Sequence, residues 1–168
     1  VASLVGSEMC IRDRINSIAD LKGLKFRAYN SATIRIAELT GMAPTKIEAA
    51  EISQAFSTGA VESMITSPTT GKNSKIWENG VGYFYDIAAW FPKNMVIVNK
   101  DAWNKLDSAT KKLVMSEAAV AEKKGWELSK KGNVADKKAL SDAGMKVGKV
   151  NSALEKHFQK VGATMADE

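Results

Sequence analysis

Strand-like and helix-like stretches alternate along most of this chain, and that alternation most constrains what it can fold into. Leu24-Lys25-Phe26-Arg27-Ala28-Tyr29 alternates apolar and polar side chains, the pattern of a half-buried strand. It follows a short helical turn over 15–23, closed by Gly23. Asn30 and Ser31 are capping types ahead of a helix expected over 32–40, which Gly41 ends. Residues 42–47 read as an extended link, 50–58 as a helix, 61–66 as a second strand, and Ser67-Pro68 as a helix start. Tyr83 to Trp90 is rich in aromatic and β-branched residues and predicts a strand. After a turn at Phe91-Pro92-Lys93, residues 94–99 are nearly all apolar, which predicts a strand buried on both faces. A short helix over 101–106 precedes a long one to about 143, with possible breaks at Gly125 or Gly132. A last strand over 145–150 and a helix to about 165 complete the series. Such an order indicates an α/β fold with an at least partly parallel sheet.

Composition narrows the function classes. Apolar residues make up 45% and charged residues 26% of 168, values of a chain that can bury a core. No run of about 18 apolar residues is present to span a bilayer. The net charge of +5 suits an anionic ligand. Its lysines, however, are spread over helical segments among acidic residues, as on a solvated helix face, with no basic and aromatic platform for nucleic acid. One cysteine, Cys10, and one histidine, His157, exclude an internal disulfide and leave no soft-metal ligand set; neither a metal nor a cofactor is expected.

Ligands in open α/β sheets bind at strand ends, and three such places carry suitable groups. Arg27 can offer a planar fork to a carboxylate, with Asn30 and Ser31 at the helix start behind it; the alternative is an edge arginine in a salt bridge. Thr66 and Ser67 offer two hydroxyls, or Ser67 simply caps a helix. Trp90 with Asn94 offers an aromatic wall and an amide, or Trp90 is a packing residue, as expected of Trp77, Trp103 and Trp126. No catalytic set stands out. A nucleophile–base pair is hard to assemble with His157 read as a surface or packing residue and Cys10 in the opening segment, the glutamates at 48, 51 and 62 are scattered, and no Gly-rich phosphate loop exists. Binding is favoured over turnover.

Two resemblances sharpen this reading. Residues 4–14 resemble one translated frame of a transposase adapter used to prepare DNA sequencing libraries, so 1–14 is expected to be foreign, disordered or non-native, and Cys10 with it. Asp20-Leu21-Lys22-Gly23-Leu24-Lys25-Phe26-Arg27 is similar to the "DLKGLKxR" segment of TRAP (tripartite ATP-independent periplasmic) transporter solute-binding proteins of the DctP type. The run from Glu51 to Glu62 resembles that family's "ExxxALQxGxVDG" segment, with Phe56, Ser57, Glu62 and Ser63 as departures. Trp90 to Asn99 and Leu106 to Ala119 resemble its second-lobe strand pair and its "LPxxxQxxVxxAA" helix.

The resemblance implies a type II periplasmic-binding-protein-like bilobal fold, of which residues 15–168 hold the second lobe and the returning part of the first. It implies a periplasmic, non-enzymatic receptor. Arg27 would pair with a small carboxylate (lactate, pyruvate, another 2-oxo acid or a C4-dicarboxylate), with Asn30, Thr66, Ser67, Trp90 and Asn94 around it. Thr66 stands where sialic-acid-type members carry an asparagine ligand, which argues against sialic acid. The partners implied are the small and large TRAP membrane subunits. A sensor domain of a signalling protein, or an enzyme on the same fold, are the alternatives.

Overall fold

The computed structural model describes residues 7–90 and 95–168, and within them a single six-stranded sheet. Its strands are β1 (Ser7–Ile11), β2 (Lys25–Ala28), β3 (Ala43–Lys46), β4 (Ser63–Thr66), β5 (Tyr83–Trp90) and β6 (Lys146–Lys149). Their spatial order is β3-β2-β4-β1-β5-β6. β2 runs parallel to β3 and to β4, β5 runs parallel to β6, and β1 lies antiparallel to both β4 and β5. The sheet is therefore mixed, with one reversed strand near its centre.

Period-two alternation fills both faces of the sheet. Met9, Ile11, Phe26, Ala28 and Ile65 point to one side, against Ile36 and Ala37 of α1 (Ser31–Thr40) and Leu154, Phe158 and Val161 of α6 (Ser152–Asp167). Cys10, Met64 and Phe84 point to the other, against Ile52 and Phe56 of α2 (Ile52–Ser57), with Ile76 and with Leu140 of α5 (Ser108–Asp142). The helix α3 (Pro68–Asn73) packs beside α5 on that same side. Gly41 ends α1 at φ 77°, the left-handed cap that glycine adopts without a Cβ penalty.

Several expectations change here. Residues 42–47 are not a link: Ala43–Lys46 is an edge strand, and the edge is where Pro44 is tolerated, since its missing N–H costs no ladder bond toward solvent. The segment expected to be disordered or non-native through residue 14 supplies β1, with Met9, Cys10 and Ile11 at 0–1% exposure. Its short apolar alternation matches the two flanking strand edges, and each of its faces completes one core.

Beyond β5 the expectation fails in the other direction. Residues 95–99 form no strand, and Met95, Val96 and Ile97 are 79%, 86% and 84% exposed. No strand of the described residues lies alongside them, so their apolar character finds no cover. The Phe91-Pro92-Lys93 turn and Asn94 lie outside the described residues. The short helix α4 (Lys100–Asn104) follows, and then α5 runs unbroken for 35 residues, about 52 Å, through Gly125 and Gly132. Its burial lies in its C-terminal part, where Leu140 packs in the core against the sheet and Lys137 reaches Glu8 of β1 and Asp86 of β5. Leu113, Met115 and Leu128 of its expected apolar stripe or next to it are about 60% exposed, at 61%, 61% and 58%.

The central position of β1 makes Cys10 a reporter of the fold. Burial also pushes its thiol pKa well above the ordinary value, which suppresses the reactive thiolate. A disulfide reagent should leave Cys10 essentially unmodified in the native chain and titrate it fully in guanidinium. Immediate reaction without denaturant would show that β1 is not part of the sheet.

Candidate functional site

Strand direction assembles the site. β2, β3 and β4 are mutually parallel, and two successive antiparallel pairings through β1 bring β5 into the same direction. All four carboxyl ends therefore open on one edge of the sheet, where ligands of open α/β folds bind. That edge gathers Arg27, Tyr29 and Asn30 after β2, Ile47 after β3, Thr66 and Ser67 after β4, and the end of β5 at Trp90. Trp90 pairs with Ser7 in the register of β1 and β5.

Arg27 is the dominant feature. It sits on β2 opposite Met64 and Thr45, on the face away from Phe26, and is only 4% exposed. Its Nε–H donates to the Ile47 carbonyl at 2.9 Å, and its guanidinium carbon lies 4.9 Å from the centre of the Tyr29 ring. Among the described residues no carboxylate comes within ion-pair distance of it; the nearby Glu48 pairs instead with Lys46 at 3.7 Å. Burial draws the Arg27 pKa below its ordinary value, opposed by Tyr29 and Glu48. Arginine nevertheless stays protonated in proteins, so this is a buried cation that no carboxylate of the described residues pairs with.

The other expected residues divide. Asn30 and Ser67 are both N-caps. Asn30 Oδ1 accepts from the Thr33 N–H at 2.8 Å and from the Thr33 hydroxyl at 2.9 Å. Ser67 Oγ accepts from the Thr70 N–H and donates to the Thr70 hydroxyl, each at 3.1 Å. Capping, one of the two readings open from sequence, thus occupies Ser67, and for Asn30 it leaves only the amide N–H groups. Thr66 is buried at 6% at the end of β4, two residues past Met64, the register partner of Arg27. β5 carries the Trp90 backbone to the site edge, and Asn94 is outside the described residues.

Sequence reasoning missed a second charged group at this edge. Glu8, opposite Thr66, is 1% exposed, and its Oε1 meets Lys137 Nζ of α5 at 3.0 Å. Lys137 also meets Asp86 of β5 at 2.7 Å. The preceding residue, Asp136, accepts from the Thr69 hydroxyl at 2.6 Å and pairs with Lys72, which ties α5 to α3. Burial opposes the Lys137 ammonium, but Asp86 and Glu8 outweigh it and raise its pKa. Glu8 itself is pushed up to about 7 by burial, against the pull of Lys137, and its Oε2 has no hydrogen-bond partner among the described residues. Nothing in sequence spacing links residues 8, 86 and 137. Tyr29 had a signal: two residues from Arg27 on an extended backbone, it shares Arg27's side.

The family of bacterial extracellular solute-binding proteins, family 7 (DctP), matches residues 9–168 of the chain. The chain belongs to that family. Its DctP-type TRAP relatives include solved structures of an extracytoplasmic solute receptor from Bordetella pertussis, DctP6, binding pyroglutamic acid, and of a marine metagenome TRAP solute-binding protein specific for pyroglutamate. The first is 38% identical over 99% of this chain and 55% of its own, with a TM-score of 0.92; the second is 36% identical over 96% and 53%, with 0.89. The sialic acid-binding periplasmic protein SiaP of Vibrio cholerae is 31% identical over 60% of this chain and 31% of its own length. The chain thus spans about half the length of the structures it matches. DctP proteins are extracellular solute receptors, not enzymes, and the mixed α/β sheet is the fold of these relatives.

Glu8 generates a pH prediction. Its folded pKa of about 7 lies above the ordinary 4.5, so the native state holds the proton more tightly than the unfolded chain. This contribution is fully present below pH 4.5 and is lost as pH rises to 7, a change of the order of 3 kcal/mol. Glu8→Gln should remove most of that slope and raise the thermal midpoint at pH 8 more than at pH 5. Parallel midpoint-versus-pH curves for the two proteins would contradict the buried carboxylate.

Proposed function

We propose that this chain supplies one wall of the ligand cleft in a periplasmic TRAP solute receptor that captures a small organic carboxylate through Arg27. The observation that carries this reading is the burial of the Arg27 guanidinium without a carboxylate from the described residues. A buried cation is costly unless paired, and a planar carboxylate matches its donors bidentately. Thr66, the amide N–H groups of Asn30, Ser67, Trp90 and Asn94 would orient the remainder of the ligand.

Pyroglutamate is the ligand that fits best. The relatives that are 36% and 38% identical bind it, and it combines one carboxylate with a lactam whose N–H and C=O need short polar partners. Residues 15–168 are then the second lobe with the returning part of the first. The exposed 95–98 segment and the groove of about 650 Å³ beside it, lined by Val96, Ile97, Trp103, Leu106, Val114 and Met115, would be covered by the rest of the longer receptor. If residues 4–14 derive from a library adapter, β1 stands in for a strand of the receptor's own. Closure of both lobes over the ligand would present it to the small and large membrane subunits. A half-built cleft should bind weakly, because enclosure supplies much of the contact area.

Calorimetry on the full-length receptor tests the Arg27 role. Losing a charge-assisted bidentate pair should weaken pyroglutamate binding by at least about tenfold in Arg27→Ala. An affinity within about twofold of the unaltered protein would rule out the ion pair. A thermal-shift panel of pyroglutamate, lactate, pyruvate and C4-dicarboxylates would rank the ligand class.

A further inference from the structure

We propose that the Ile47 carbonyl and the Tyr29 ring form a cradle that fixes the Arg27 guanidinium for end-on capture, so that the ligand carboxylate meets Nη1 and Nη2 and never Nε. This rests on the reading of Arg27 as the carboxylate-binding residue, and adds which edge of it is used and what holds it.

A guanidinium can bind a carboxylate bidentately in two ways. The side-on fork uses Nε–H with one Nη–H; the end-on fork uses one N–H from each Nη. In this site the side-on fork is closed, because Nε–H is donated to Ile47 at 2.9 Å. That acceptor is itself held: the Ile47 N–H donates to the Ala28 carbonyl at 3.0 Å, at the end of the β2–β3 ladder. The carbonyl is therefore positioned by the same two strands that position Arg27. Tyr29 then covers one face of the guanidinium plane at 4.9 Å, which limits rotation about the Nε–Cζ end of the side chain. Tyr29 is in turn fixed next to the start of α1, where its N–H donates to the Thr33 hydroxyl at 3.0 Å.

The consequence is preorganisation. The rotamer entropy of a free arginine is already spent before the ligand arrives, so less is lost on binding. Lysine at this position keeps a charge but cannot bond Ile47 and still offer a two-pronged fork. Tyr29 is a positioning residue: it acts through Arg27, by the face of its ring against the guanidinium.

Two measurements test this. In the 168-residue chain, the Arg27 Nε–H nuclear magnetic resonance signal should exchange slowly with solvent, and about tenfold faster in Tyr29→Leu. An Arg27 Nε–H exchanging as fast as free arginine in the unaltered chain would overturn the cradle, ligand or none. In the full-length receptor, Tyr29→Leu should weaken pyroglutamate binding about five- to tenfold, and Arg27→Lys should lose more than Tyr29→Leu. If Arg27→Ala weakens binding and Tyr29→Leu does not, the cradle is wrong and the ion pair stands. If Arg27→Ala has no effect while Nε–H protection persists, the ion pair is wrong, and with it the end-on capture.

Discussion

Everything in this structure hangs on the reversed strand between β4 and β5. β1 joins the β3-β2-β4 half of the sheet to the β5-β6 half, and its alternating side chains enter both cores. Without it, β4 and β5 would each expose an unpaired edge, and Met64, Ile65 and Phe84 would lose packing on their flank. The cost is local. Placing Glu8 at the end of this strand buries a carboxylate that Lys137 only partly compensates, and Arg12, just past the strand's other end, has a buried Nε without a hydrogen-bond partner among the described residues. Cohesion of the sheet outweighs these penalties because backbone pairing and apolar burial act along the whole strand, and the polar misfits act at its ends.

The ligand edge is an exercise in charge placement within a poorly polarisable surrounding. Lys137 and Lys72 each find acidic partners on neighbouring elements, so their charges are spent on holding α5 against β1, β5 and α3. Arg27 alone among these three cations is given a carbonyl and an aromatic face in place of a carboxylate. A carbonyl dipole and a ring quadrupole stabilise a cation without neutralising it. The guanidinium therefore keeps its net charge, which the proposed carboxylate would meet.

A different imbalance marks the other end of the molecule. The segment after β5, α4 and the first turns of α5 carry large apolar side chains that no described element covers. α5 is long enough to reach well past the sheet, and its burial is confined to its C-terminal turns. In the receptor proposed above, this is the surface on which the rest of the longer protein would pack.

Much of the sheet-facing architecture was legible in the sequence. Period-two alternation around Phe26, the glycine stop at Gly41, the Pro68 helix start and the aromatic run of β5 each state a local backbone preference, and local preferences survive folding. Residues 95–98 show where this fails: apolarity says that a segment wants cover, and only the tertiary partners decide whether it has any. Residues 7–11 show the converse, a short and charge-flanked stretch whose strand exists because two open edges receive it. The site divides the same way. Arginine at residue 27, with its planar fork, was set by sequence. Its burial, the tie of Nε to a carbonyl twenty residues on, and the clustering of Glu8, Asp86 and Lys137 were decided by strand register and helix docking, since only these bring distant residues within bonding distance.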